Sequence, residues 1–213
     1  MVVAEQYRQL AAASKFLRGV PLWVYVFPYL IHGLAAFALI KRGNGAPRMP
    51  PLPDVLADNM PYLSQFRSVV SWGVPVVLTL FMICALRSGR GDSRGFLLGF
   101  FRYTALLLLL RSITVHATLL PPCRSEHGTT TANACAFIVG HAYDKIFSGH
   151  TAVELLALLL AWRYGVLGGT WLALWLVLQA AAAFLMVPTG MHYTIDVILA
   201  YVVATSLFFL FDL

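Results

Sequence analysis

The stretch HYTIDVILAYVVATSLFFLFDL, residues 192–213, decides how this chain folds. It is a long apolar run that opens with a histidine and an aspartate, His192 and Asp196. About 20 apolar residues in a helix cross the hydrocarbon core of a bilayer, which is about 30 Å thick. We therefore predict a transmembrane helix with an ionisable pair at its mouth.

The rest of the chain has the same character. Of the 213 residues, 60% are hydrophobic and 11% are charged, whereas an average soluble domain has roughly 25% charged residues. We predict an all-α integral membrane protein, a six-helix transmembrane bundle in a single domain over residues 1–213. The predicted spans are 20–40, 67–86, 95–120, 148–164, 170–187 and 192–213.

Charge placement predicts the topology. The net charge of +6 comes from arginines and lysines at span ends, where they orient helices and meet lipid headgroups, so no nucleic-acid partner is needed. Arg87, Arg90 and Arg94 crowd one short loop, which we place in the cytoplasm with both termini. The fourth and sixth spans then begin on the outer or lumenal side.

The cysteines carry a smaller prediction. Cys123 and Cys135 fall in the same outer loop, where an oxidising lumen could join them in a disulfide. The alternative is that both stay as thiols. Cys84 lies inside an apolar span, where we expect it to pack.

The string Ser148-Gly149-His150-Thr151 opens the fourth predicted span. Glycine lets a ligand approach the backbone, and the first turn of a helix offers free amides that attract an anion. His150 would supply an acid or a base there. The alternative is that Ser148 merely caps the helix and His150 is a satisfied polar residue.

His192 and Asp196 lie four residues apart, on one face of a helix. The carboxylate can accept a hydrogen bond from one ring nitrogen and make the other more basic, which suits a nucleophile or a general base. A structural polar pair is the alternative, but ionisable groups inside a span are costly and are usually functional.

Arg111 interrupts the leucine-rich third span near its outer end. Its guanidinium could bind a phosphate, or it could form an ion pair with Glu154 or Asp144, and both interpretations stay open. The remaining histidines show no spacing typical of metal ligands, so we predict no metal and no cofactor. A zinc site is the alternative, because several His, Asp and Cys residues share the outer loop region.

Four segments in order resemble the sphingomyelin synthase family, lipid phosphotransferases related to type 2 phosphatidic acid phosphatases. Pro51-Leu52-Pro53-Asp54 resembles the proline-rich lumenal motif of that family. Residues 111–114 with 118–121 resemble its third-span motif, and residues 144–151, DKIFSGHT, resemble its first catalytic motif. Residues 192–197 match its second.

The resemblance implies a six-span enzyme whose His/His/Asp site faces the Golgi lumen or the cell exterior. Such enzymes move phosphocholine, or a related phospho-alcohol, from a glycerophospholipid such as phosphatidylcholine to ceramide and release diacylglycerol. His192, oriented by Asp196, would attack phosphorus and form a phosphohistidine. His150 would protonate the departing diacylglycerol oxygen and then deprotonate the acceptor hydroxyl.

The residues near the headgroup differ from the family pattern. Ala142-Tyr143 stand before Asp144 where the family has Cys-Gly, and Glu154 is an unusual charge. The donor headgroup therefore stays open among choline, ethanolamine and inositol. The candidate headgroup and phosphate contacts are Arg111, Tyr143, Asp144, Phe147, Ser148, Gly149 and Tyr193, and the aromatic ones would suit a quaternary ammonium.

Three other functions compete with transfer to ceramide. Diacylglycerol could be the acceptor, or water could be, as in a lipid phosphate phosphatase. The phosphatase pattern has Ser-Arg shortly before the second histidine, but this chain has Pro188-Thr189-Gly190-Met191 there, which disfavours hydrolysis. A non-catalytic lipid-binding or scaffold protein is the third alternative.

Overall fold

The computed structural model describes residues 2–45, 50–118, 120–121, 123 and 146–211, and over these residues its regular structure is helical. Short 3-10 turns at Leu22–Tyr25 and Ser64–Phe66 precede the second and fourth helices. The helices are α1 Val2–Gly19, α2 Val26–Asn44, α3 Val55–Asp58, α4 Arg67–Arg87, α5 Ser93–Ala117, α6 Gly149–Arg163, α7 Gly169–Leu185 and α8 Thr194–Leu210.

Three of the helical segments are long and apolar enough to cross a membrane. They are Leu22–Asn44 with 23 residues, Ser64–Arg87 with 24 and Ser93–Ala117 with 25. Helix α6 has 15 residues, and α7 and α8 have 17 each, which corresponds to roughly 22–26 Å at 1.5 Å per residue. Over the described residues the protein is therefore a helical membrane protein with three candidate spans, against the six that the sequence predicts.

The structure differs from the sequence-based expectations in three details. Residues 2–19, for which no helix was predicted, form α1. The segment 43–61 contains five prolines, which are typical of a loop, but it begins with the end of α2 and contains the single turn α3. Cys84, expected to pack in the core, is exposed on α4, because it lies on the helix face that the rest of the bundle leaves uncovered.

Helix α6 is the centre of the bundle. It packs against α4, α5, α7 and α8, and Ala152, Ala157 and Ala161 along it are fully buried. Ala200 and Ala204 on α8 are also fully buried. Small side chains let helix axes approach closely in a membrane, so the starts of α6 and α8 are brought side by side.

A tight backbone contact joins the start of α5 to the end of α6, at the end of the bundle away from the starts of α6 and α8. The Asp92 amide, just before α5, donates to the Tyr164 carbonyl, just after α6, over 2.9 Å. Gly91 has a φ of 59°, and a Cβ there would lie 2.2 Å from the Tyr164 carbonyl oxygen. Only glycine provides both this backbone conformation and this close approach.

Candidate active site

The structure brings the two histidine strings together at one end of the bundle. The Ser148 amide, one residue before α6, donates to the Asp196 carbonyl in the first turn of α8 over 3.0 Å. Because this bond joins the starts of two adjacent helices, His150 and His192 lie at the same end of the bundle and at a similar depth.

His192 is held by Asp196 beneath it. The Nδ1 atom of His192 lies 3.3 Å from Oδ2 of Asp196, and the same oxygen accepts the Tyr193 amide over 3.1 Å. The exposed fractions of His192 and Asp196 are only 5% and 1%. With Nδ1–H donated to the carboxylate, Nε2 keeps its lone pair for a proton or an electrophile.

The turn that leads into α8 fixes where His192 lies. The amides of Met191 and His192 both donate to the Met186 carbonyl, over 3.0 and 3.3 Å. Gly190 has a φ of 71°, a conformation that favours glycine. Residues 186–193 are all buried, so the turn is a rigid support for the histidine.

His150 lies in the first turn of α6 and is half-buried. Ser148 is the N-cap of this helix, and its Oγ accepts the Thr151 amide over 3.3 Å. The capping alternative is therefore correct for Ser148, but it leaves the His150 ring at a helix start that attracts negative charge.

Arg111 lies buried against the start of α6. It donates to the Phe147 carbonyl, and its guanidinium carbon lies 5.2 Å from the centre of the Phe147 ring. A Cβ on Gly149 would come within 3.0 Å of the same guanidinium carbon. Within the described ranges Glu154 forms no ion pair with Arg111, and Asp144 lies outside them.

The proline-rich segment lies across the start of α8. Both carboxylate oxygens of Asp54 bind Thr194, one the amide and the other the hydroxyl, each over 2.6 Å. The Leu52 amide donates to the Tyr193 hydroxyl over 3.0 Å, and this hydroxyl donates to the Pro121 carbonyl over 3.2 Å. The segment is thereby fastened to Tyr193 and Thr194, which lie between His192 and Asp196 at the start of α8.

Asp54 also caps α3 from within the same segment. Its Oδ1 accepts the amides of Leu56 and Ala57 over 3.1 and 2.9 Å. Burial by itself raises the pKa of Asp54, but the hydrogen bonds from Ala57, Thr194 and Leu56 outweigh it and hold the pKa below its ordinary value. The carboxylate is therefore ionised at neutral pH.

The residues alone gave no functional role to Asp54, although it was part of the family resemblance. An aspartate after Pro-Leu-Pro is typical of a helix N-cap, and this signal could have predicted α3. The contact with Thr194 had no signal in the sequence, because the two residues are 140 positions apart.

Two aromatic residues that were predicted to contact a lipid headgroup are buried and contact other parts of the protein. The Phe147 ring is 2% exposed and faces Arg111. Tyr193 is 3% exposed, and its hydroxyl is bound as described. Tyr143, Asp144 and Cys135 lie outside the described residues, so the question whether Cys135 pairs with Cys123 lies outside them too.

Among the residues that the structure describes, no group of three or more His, Cys, Asp or Glu is placed to hold a metal ion. The arrangement instead offers two imidazoles, a carboxylate and a guanidinium around two helix starts. Such a set can bind a phosphoryl group, attack it and move a proton.

Comparison with known proteins agrees with this class of site. Residues 143–213, which include both histidine strings, match the family described as PAP2 superfamily C-terminal. The predicted relationship to lipid phosphotransferases of the PAP2 kind is thus confirmed.

A particular relative is a phosphatidylinositol:ceramide inositolphosphotransferase of Leishmania major. It is 26% identical over 204 residues, which cover 86% of this chain. The alignment covers 55% of the relative, so the chain spans about half the length of that protein.

Proposed function

We propose that this protein is a membrane phosphotransferase that moves a phospho-alcohol headgroup from a glycerophospholipid to ceramide and releases diacylglycerol. The observation that carries the proposal is the bond between Ser148 and Asp196, which joins the His150 string to the His192–Asp196 pair. The similarity of the same residues to the PAP2 superfamily supports phosphoryl chemistry. The name of the Leishmania relative supports ceramide as the acceptor.

The proposed reaction has two displacements at phosphorus. In the first, Nε2 of His192 bonds to phosphorus, the bond from phosphorus to the diacylglycerol oxygen breaks, and protonated His150 gives that oxygen its proton. In the second, His150 takes the proton of the ceramide hydroxyl, the hydroxyl oxygen bonds to phosphorus, and the bond to His192 breaks. Asp196 holds Nδ1–H throughout, and Arg111 stabilises the phosphoryl oxygens.

Phosphoinositol is the first candidate for the headgroup, ahead of phosphocholine. The Leishmania relative is named for phosphatidylinositol. In addition, Phe147 and Tyr193, which would suit a choline ammonium, are buried and already engaged. Phosphocholine transfer, the function that the sphingomyelin synthase resemblance implies, is the alternative for the same site.

The test uses purified protein in lipid nanodiscs with phosphatidylinositol, phosphatidylcholine and phosphatidylethanolamine, each isotopically distinct, together with ceramide. Mass spectrometry should detect inositol phosphoceramide and an equal amount of diacylglycerol. Free phosphate or free phosphoinositol without a ceramide product would contradict transfer. Transfer of phosphocholine to ceramide would support the proposed reaction but would identify phosphatidylcholine as the donor.

Two variants assign the activity to the site. His192→Ala should abolish transfer, and His150→Ala should lower the rate roughly 10²–10⁴-fold, which is typical for loss of a general acid and base. His116→Ala is the matched control, because His116 lies exposed in the last turn of α5. Unchanged turnover in His192→Ala would favour a non-catalytic lipid-binding protein.

A further inference from the structure

An apolar groove runs along α4, α6 and α7, with a volume of about 490 Å³. Its lining on α4 extends from Val69 to Phe81, which is about 18 Å of helix at 1.5 Å per residue. Half the hydrocarbon core of a bilayer is about 15 Å deep. The groove therefore has the length of one lipid tail in one leaflet.

One charged side chain, Glu154, lines this apolar groove. It is 9% exposed, and its Oε2 atom has no hydrogen-bond partner within the described part of the chain. The neighbouring polar groups are already bound to one another. Gln179 accepts the Tyr201 hydroxyl over 2.5 Å and donates to the Thr151 carbonyl over 3.3 Å.

An unpaired carboxyl oxygen in an apolar membrane groove is costly. A ligand that brings a hydrogen-bond donor into the groove would remove that cost. A plain hydrocarbon tail would not, so the groove selects for a lipid with a polar donor close to its head.

Glu154 lies one helical turn from His150, which is about 6 Å along α6. Helix side chains lean toward the N-terminus, so the carboxyl group reaches back toward the histidine. In ceramide the amide N–H is only two carbons from the reacting hydroxyl. A ceramide whose hydroxyl lies at His150 would therefore bring its amide to Glu154.

We propose that the groove binds a ceramide tail and that Glu154 determines specificity by accepting the ceramide amide N–H. This inference rests on the proposed function and names the feature of the acceptor that is recognised. Diacylglycerol has ester oxygens at the corresponding depth, and these can only accept hydrogen bonds. Glu154 thus favours ceramide over diacylglycerol as the acceptor.

The experiment measures binding of a tritiated ceramide and of its N-methyl analogue to the protein in nanodiscs, without any donor lipid. The wild type should bind ceramide about tenfold more tightly, as expected when a buried acceptor gains a hydrogen-bond donor that it otherwise lacks. In Glu154→Leu the two lipids should bind equally. Glu154→Gln, which keeps an accepting oxygen, should retain part of the preference.

A second variant tests the groove itself. Gly73 lines it, and a Cβ there meets nothing within 4 Å. Gly73→Leu should therefore place a side chain in the groove, with open space at its Cβ position, and weaken binding of both lipids. Val76→Leu is the control, because Val76 is exposed on the same helix and does not line the groove.

An equal preference for ceramide in wild type and Glu154→Leu would overturn the proposal, and so would unchanged binding in Gly73→Leu. The assay needs no turnover, so its outcome is separate from that of the transfer assay. Selective ceramide binding without transfer would contradict the proposed function alone. Transfer with no effect of Glu154 would contradict this inference alone.

Discussion

At the scale of single residues, Gly149 sets how closely Arg111 lies against the start of α6. A methyl group at position 149 would come within 3.0–3.2 Å of three guanidinium atoms. The side chain would have to move by a few tenths of an ångström. Arg111 is buried, so this movement would shift it away from the place where the proposed reaction puts the phosphoryl group.

We therefore predict that Gly149→Ala lowers the transfer rate roughly tenfold, because small displacements of a positioning group are expensive in rate. Thermal stability should change little, since alanine favours helix. Gly169→Ala is the matched control: Gly169 also opens a helix, and a Cβ there meets nothing. Steady-state rates in nanodiscs measure the difference, and equal rates in the two variants would contradict the role given to Arg111.

At the scale of elements, the central contact joins α3 to α8 through Asp54 and Thr194. We predict that Asp54→Ala destabilises the α3 turn by about 1–2 kcal/mol, as expected for loss of an N-cap, and lowers the transfer rate by releasing Thr194, two residues after His192. Asn59→Ala is the control, because the Asn59 side chain donates to the Val55 carbonyl within the same short helix. Limited proteolysis of segment 50–63 would report the change, and equal cleavage of the two variants would count against this contact.

The same contact should depend on pH. The pKa of Asp54 is lower in the folded protein, so its stabilising contribution is complete above its unfolded pKa of about 3.9 and is lost as the pH falls through the folded value. Hydrogen exchange of the Leu56 and Ala57 amides should accelerate over that range beyond its intrinsic pH dependence. In Asp54→Asn this additional acceleration should disappear, and its persistence would assign it to another group.

The sequence predicts the helices and the local contacts better than the contacts between distant segments. Helices α4 to α8 follow apolar runs, and the pairing of His192 with Asp196 follows from the period of a helix. Contacts between distant segments, such as Asp54 with Thr194 or Ser148 with Asp196, have no periodic signal. The sequence analysis did not predict the turn α3, because the prolines around Asp54 are typical of a loop. It predicted that the Phe147 ring contacts a substrate headgroup, because the contact of this ring with Arg111 depends on three-dimensional packing.

At the scale of the whole molecule, the bundle depends on close contacts at the end opposite the site. We predict that Gly91→Ala lowers the unfolding temperature, because the new methyl group collides with the Tyr164 backbone. Gly89→Ala is a matched control in the same loop, since Gly89 also has a positive φ, 62°, but has nothing near its Cβ position. Gly91→Ala should cost roughly 1–3 kcal/mol more, as measured by thermal unfolding in detergent, and equal costs would show that the contact is not needed.

The central claim concerns the whole reaction, namely that the headgroup phosphate passes through His192. The most direct test is the stereochemistry at phosphorus, measured with a phosphorothioate donor lipid of one configuration and ceramide as the acceptor. Two successive displacements predict that the product retains the configuration of the donor. Inversion would mean that ceramide attacks the donor directly, and it would contradict a covalent intermediate on His192.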